Sequence, residues 1–454
     1  MVWQRLRVSA IKPGDRATWP NPIRAWFAVG VFTIAAALSY TDRQILSLLV
    51  DPIRASLDVT DTQVSLLQGL AFALIYSVAG LPLGRVADLW PRRRVILIGV
   101  SLWTLATLAC GLAQSFGALF ASRVFVGIGE AMLAPAVISM LADYFPPERR
   151  GKAIGLFLMG MVIGGGTAIG IGGGLLQAAD NGVFAHVPFL GGLESWRVTL
   201  IVLGVAGFGM SALVLAVREP RRHSGASDGA HARWTLAQVI AGFVERRGVL
   251  LPLYLGMALM SIGDFGLLSW TPTLLSRRFG MEPGQIGVLI GGTSIVAAVV
   301  GVIGAGMLAD RASARNGIRG RLVITGALAA PALIGALIGF ANDTSMILFC
   351  FGAWTLLSTA NGVAGIVAVQ DIATTEMRGV SVALVSFGNI LLGLGGGATL
   401  PALLTDHVFH DPKAVGLSMT AVITPAWFIA TLLFWHAARA ARSLRVPKLE
   451  AKAL

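Results

Sequence analysis

The chain has 454 residues, 55% of them hydrophobic and only 13% charged, with 56 glycines. A soluble domain carries about twice that charge, so a soluble fold would have to hide every apolar run of this chain in one core, and that class is set aside. The net charge of +12 does not mark a nucleic-acid face either, because no aromatic residues are interleaved with the basic ones.

Twelve apolar segments of about 20 residues or more follow one another, each long enough to cross the hydrocarbon core as a helix. They span 26–50, 62–87, 95–114, 117–142, 151–178, 196–217, 249–276, 285–309, 322–341, 346–370, 379–404 and 416–438. Residues 1–25 form a polar, basic tail, and the first segment is too long for the apolar part of a cleavable signal peptide. The most polar interior stretch, 218–248, separates a first group of six segments (26–217) from a second (249–438) and reads as a linker. Within it, 234–247 is either a short helix on the membrane surface or an unstructured connection. Loop 179–195 reads as an irregular cap, and 439–454 as a second tail. The expected fold is all-α and integral to the membrane: twelve transmembrane helices in two pseudo-symmetric six-helix bundles.

With both termini on one side, the segments facing that side hold 27 of the 35 lysines and arginines. The opposite loops hold Arg54, Arg277, Arg278 and Lys413. By the positive-inside rule the basic side is cytoplasmic. A bacterial-type inner membrane is the expected location.

Two signatures recur in the two halves. Gly84-Arg-Val-Ala-Asp88 with Arg92, Arg93 and Arg94 returns as Gly306-Met-Leu-Ala-Asp310-Arg311 with Arg319 and Arg321. Asp143, Glu148, Arg150 and Gly151 return as Asp371, Glu376, Arg378 and Gly379. The offsets are nearly equal, 222 residues from Asp88 to Asp310 and 228 from Asp143 to Asp371, as in a duplicated transporter whose halves lie parallel. All of these charges fall in basic-side turns. Gly84 permits close helix approach, and Asp88 is placed to meet the positive N-terminal end of a helix starting near Gly379. Gly84, Asp88, Arg92, Arg94, Asp143, Glu148, Arg150, Asp310, Arg311, Asp371, Glu376 and Arg378 are therefore expected to form a cytoplasmic gate. It would latch the halves in one state and release them in the other.

These residues resemble the major facilitator superfamily over essentially the whole chain. Pro91 stands where the usual loop signature has glycine, and Arg123-x-x-x-Gly127-x-Gly129-Glu130-Ala131 resembles a second signature. Three runs, Tyr40 to Ser47, Gly69 to Tyr76 and Asp143 to Lys152, are similar to the spinster branch, whose animal members move sphingosine-1-phosphate and lysophospholipids. The glycines from Gly164 to Gly174 resemble an antiporter signature that lacks its proline, so antiport does not follow.

Four ionisable residues fall inside segments 1 and 4: Asp42, Arg43, Arg123 and Glu130. Each charge near the bilayer centre costs about 2.5–3.5 kcal/mol when unpaired, so they must pair or face water. Arg123 and Glu130 are seven apart and share a helix face. In the superfamily that the chain resembles, helices 1 and 4 line the central cavity. Asp42 and Glu130 are then the candidate proton carriers, and Arg43 and Arg123 the candidate binders of an anionic group. A carboxylate beside an arginine stays ionised, and one whose arginine turns to substrate can take a proton. The second half is greasier. Asp264 is its deep carboxylate and a further candidate for proton coupling, while Asn361, Asn389, Trp270 and Phe265, with Phe387, are candidate cavity lining.

Cys110 and Cys350 fall inside spans and read as packing residues, and the six histidines are scattered, so neither a metal site nor any other cofactor is expected. No phosphate-binding loop occurs, and no nucleophile–base constellation suggests an enzyme. The expected function is a monomeric, proton-coupled secondary transporter. Its partners would be protons, membrane lipids and a small amphiphilic anion such as a lysophospholipid or sphingolipid. A symporter of small organic anions such as hexuronates, or a multidrug exporter, is the alternative.

Overall fold

Local signals set the helix ends. Pro22 opens α1 (Pro22–Ser47) at the position that lacks an intrahelical N–H partner anyway, and the Asn21 side chain accepts from the Ile23 N–H at 2.9 Å. A short helix, Val50–Leu57, ends on Asp58 in the left-handed region (φ 51°). Thr60 and Gln63 then cap α2 (residues 61–89) reciprocally, in the capping-box manner. The computed structural model describes residues 19–222, 236–374 and 377–442, and these contain no strand.

The first half continues with α3 (Arg92–Leu112), α4 (Phe116–Tyr144), α5 (Pro147–Asp180) and α6 (Ser195–Ala216). Helix α4 breaks at Met132, just after Glu130. Pro135 has no N–H to close onto the carbonyl four residues back, so the ladder cannot run through.

In the second half, α7 belongs to one continuous helix, Leu236–Phe279, which starts before the expected residue 249. The stretch 240–248 is therefore helical and runs straight into α7; residues 223–235 of the expected linker lie outside the described residues. The next apolar stretch, Pro283–Phe340, runs for 58 residues but is non-helical at Gly317 (φ 58°, ψ −148°). There the chain folds back. A Cβ on Gly320 would lie 2.1 Å from the Ala312 carbonyl oxygen, whereas eight residues of straight helix span about 12 Å. We number the two limbs α8 (residues 283–316) and α9 (residues 318–340). Then come α10 (Thr344–Ile372), α11 (Arg378–Phe409) and α12 (Pro412–Ala440).

Ten described stretches are long and apolar enough to cross a membrane. The break at Gly317 divides one of them, and α2 supplies the twelfth crossing.

The two halves meet along three pairs. Helix α1 meets α7, where Thr273 Oγ1 donates to the Ser47 carbonyl at 3.5 Å. Helix α2 meets α11, and a Cβ on Gly69 would stand 2.4 Å from the Leu394 oxygen. Helix α5 meets α8 through glycines on both sides. A Cβ on Gly173 would approach the Pro283 oxygen to 2.2 Å, and one on Gly291 the Gly166 oxygen to 2.5 Å. Backbones this close exclude any side chain, as in small-residue helix interfaces in membranes.

Candidate transport site

The four charges of α1 and α4 form two ion pairs, each crossing from one helix to the other. Arg123 Nη1 donates to Asp42 Oδ2 at 3.1 Å and to the Asp42 carbonyl at 3.4 Å, and the Thr107 hydroxyl donates to Asp42 Oδ1 at 3.0 Å. Arg43 Nη2 donates to Glu130 Oε2 at 2.6 Å. Asp42 and Arg43 are sequence neighbours, so they point about 100° apart around α1 and reach different partners.

The two pairs differ in setting. Arg123 and Asp42 are almost wholly enclosed, with side-chain exposures of 0% and 3%, whereas Arg43 keeps 14%. The Arg43 guanidinium carbon lies 4.0 Å from the Phe72 ring centre, 5.2 Å from Tyr40 and 5.7 Å from Tyr76. Phe72 and Tyr76 are four residues apart on α2 and stack at 5.3 Å. Phe265 of α7 and Ile390 and Leu394 of α11 pack against the same rings. The charged pair thus opens onto an apolar seam built by both halves.

The structure divides the second-half candidates. Asp264 is half-buried, and its Oδ1 accepts from Trp354 Nε1 at 2.9 Å and from the Ser358 hydroxyl. Phe265 lies in the aromatic seam. Asn389 is partly accessible, in a π-helical run of α11 (Asn389–Gly396), and its Oδ1 has no partner. Two others serve as ties between helices in this state. Trp270 has no exposed surface and donates Nε1 to the Ala398 carbonyl at 2.8 Å. Asn361 is equally enclosed and donates Nδ2 to the Thr325 carbonyl at 2.6 Å. They join α7 to α11 and α10 to α9. Phe387 is half-exposed on α11, away from the seam.

The expected gate residues form matching clusters at the basic end. Arg92 pairs with Asp143 and, at 3.0 Å, with Glu219, and donates to the Ser139 carbonyl at 3.1 Å. In the second half Arg321 pairs with Asp371 and, at 3.4 Å, with Asp310. The sequence separations agree, 51 residues for Arg92–Asp143 and 50 for Arg321–Asp371. Arg150 donates to the Ala142 carbonyl at 2.8 Å and Arg378 to the Gln370 carbonyl at 3.2 Å. Arg94, Glu148 and Arg311 are exposed. The surroundings of Gly84, the side chain of Asp88 and all of Glu376 lie outside the described residues. Every ion pair described at this end closes within one half.

The bridge between halves lies at the opposite end, where sequence reading had only noted loop charges. Arg277, in the last turn of α7, donates both Nη atoms to Asp61 at 2.7 Å and its Nε to Asp51 at 2.8 Å. Arg54 Nε reaches Asp61 at 3.1 Å. Asp406 of α11 accepts from both the backbone N–H and the hydroxyl of Thr62 at 2.7 Å. The available signal was positional: Asp61 opens one helix and Arg277 closes another, where each complements a helix dipole.

The profile of the Major Facilitator Superfamily matches residues 32–400. The chain belongs to that superfamily. It is 28% identical to an MFS-type efflux pump of Mycolicibacterium smegmatis over 93% of this chain and 95% of that protein. It is 27% identical to protein spinster of Drosophila melanogaster over 57% of this chain and 40% of the fly protein. A crystallised bacterial homologue of the human lysosomal transporter spinster shares its fold, with a TM-score of 0.80 at 23% identity over 93% of this chain and 98% of that one. The chain is thus a multi-pass facilitator-superfamily transporter.

Proposed function

We propose that this facilitator couples proton movement to transport of an amphiphilic anion, a lysophospholipid or sphingolipid-like molecule, by alternating access. The observation that carries this reading is the Arg43–Glu130 pair, which is bonded at 2.6 Å and abuts an apolar seam shared by both halves. An anionic head group competes with Glu130 for Arg43, while an acyl tail suits the seam of Phe72, Phe265, Ile390 and Leu394. Glu130, losing its counter-charge, takes a proton; release of the anion returns Arg43 to Glu130 and expels the proton. The Arg123–Asp42 pair, deeper and braced by Thr107, undergoes the same exchange with more difficulty, so Asp42 acts as the slower proton site. Asp264, held on one oxygen only, serves as a further polar site from the second half.

In this reading the bundles 26–217 and 249–438 rock against each other as units. The basic end is cytoplasmic, the membrane is the inner membrane, and the monomer is the working unit. The ties of Arg277 close the outer end, and the basic-end residues form the gate that closes in the opposite state.

Liposomes carrying a pH-sensitive dye test the reading. Wild type and Glu130→Gln are challenged with a lysophospholipid and with a hexuronate. Proton flux with the lysophospholipid, lost in Glu130→Gln, is expected. Flux with the hexuronate alone would transfer the same charge mechanism to a small organic anion, and an unchanged Glu130→Gln would remove Glu130 from coupling.

A further inference from the structure

We propose that Phe72 and Tyr76 seat the Arg43 guanidinium while Glu130 is protonated, which makes them positioning residues for the arginine that binds the anion. This inference rests on the coupling reading above. Arg43 has one ion-pair partner: Nη2 bonds Glu130, and Nε is buried with no hydrogen bond. Protonation of Glu130 removes that partner's charge, yet the anion needs the arginine in place at that moment.

The rings supply what remains. The guanidinium sits 4.0 Å from the Phe72 ring centre, and Phe72 is stacked on Tyr76 at an interplanar angle of 26°. Phe72 has no exposed surface, and Ala73, Leu394 and Phe265 pack around the pair, so the rings cannot follow a guanidinium that leaves. A cation held over a ring face is attracted by the quadrupole, more strongly where water is excluded. The attraction is blind to the protonation state of Glu130.

The ring attracts the cation without offering an acceptor oxygen. It therefore takes up none of the guanidinium hydrogen bonds that an oxyanion needs, and bidentate binding stays open. A second carboxylate in place of the ring would hold the arginine as well but would occupy those donors. Phe265, Ile390 and Leu394 come from the second half, so the seat is complete only while α2 and α11 are together.

Two measurements test this. The first needs no substrate: the structure of purified Glu130→Gln determined by electron cryo-microscopy. The expected result is the Arg43 guanidinium still over the Phe72 ring; a guanidinium turned to Asp42 or to solvent overturns the proposal. The second follows lysophosphatidylglycerol-driven proton flux in liposomes. Phe72→Leu should raise KM about tenfold with kcat little changed, and the ratio to wild type should grow as pH falls and Glu130 protonates. Phe72→Tyr, which keeps the ring, should restore KM. A Phe72→Leu defect equal at every pH, or one not rescued by tyrosine, makes the ring mere packing and overturns it. A wild type inert to lysophosphatidylglycerol counts against the lipid reading, and the first measurement then decides the seat alone.

Discussion

The two ends of the molecule carry similar charges and use them differently. At the basic end, Arg92 and Arg321 each gather acidic partners from their own half. At the opposite end, Arg277 reaches across to Asp51 and Asp61 of the other half, and Asp406 reaches across to Thr62. The first arrangement makes each half rigid, and the second holds the halves together. An ion pair's contribution to a moving protein therefore depends less on its own strength than on whether its partners move with it.

The largest effect is expected from breaking the bridge. Arg277→Gln should shift the population toward states open at that end, leaving Asp61, which has no exposed side chain, with Arg54 alone. With a probe cysteine at Ser269, which is 4% exposed, labelling from outside should speed up at least about tenfold, equivalent to about 1.4 kcal/mol. The native Cys110 and Cys350 are both buried and give a low background. Unchanged labelling would mean that the bridge is not a gate.

An intermediate effect is expected at the basic end. Arg92→Gln should cost about 1 kcal/mol of stability, because it strands the part-exposed partners of a nearly enclosed cation. Arg321→Gln should cost less, since Asp310 is 80% and Asp371 33% exposed. Thermal melts in detergent check this, and neither change should alter outside labelling. If one does, the basic-end clusters also act between halves in this state.

The smallest effect concerns pH at the end that carries the Arg277 bridge. The Ser56 hydroxyl holds the Glu194 carboxyl below the usual glutamate range, with Arg197 and Trp196 adding to it against partial burial. A carboxylate depressed in the folded state stabilises above its unfolded pKa, and that stability fades as pH falls through the folded value. Wild type should therefore lose slightly more melting temperature than Glu194→Gln between about pH 6 and about pH 3. Glu194 is half-exposed, so the difference should be small; equal slopes would leave the cluster without a pH role.

Much of the fold was legible because apolar length and basic-side loops report crossings directly. The duplicated signatures set Arg92, Asp143, Arg321 and Asp371 at one end, and there the structure joins Arg92 with Asp143 and Arg321 with Asp371, each within its own half. The cost of isolated charge required Asp42, Arg43, Arg123 and Glu130 to pair or face water, and they pair. The reach of those signatures was not legible, because residue spacing repeats equally well whether a pair closes within a half or between halves. The helix-to-helix bonds of Trp270 and Asn361 were not legible for a related reason: a polar atom in an apolar segment signals a hydrogen bond but not whether a cavity or a neighbouring helix supplies it. Helix α7 began early because nothing in residues 240–248 stops a helix. The Arg277 bridge joins residues 216 and 226 positions apart and had no local pattern to announce it.

The glycine contacts between α5 and α8 have a mechanical consequence. With Gly166, Gly170 and Gly173 facing Gly291, Gly287 and Pro283, the halves bear on each other largely through bare backbone, with the Ile295 side chain set against Gly166. The tolerance of such a bearing is a single methyl group. An alanine at Gly173 would act as a shim, prising α5 and α8 apart.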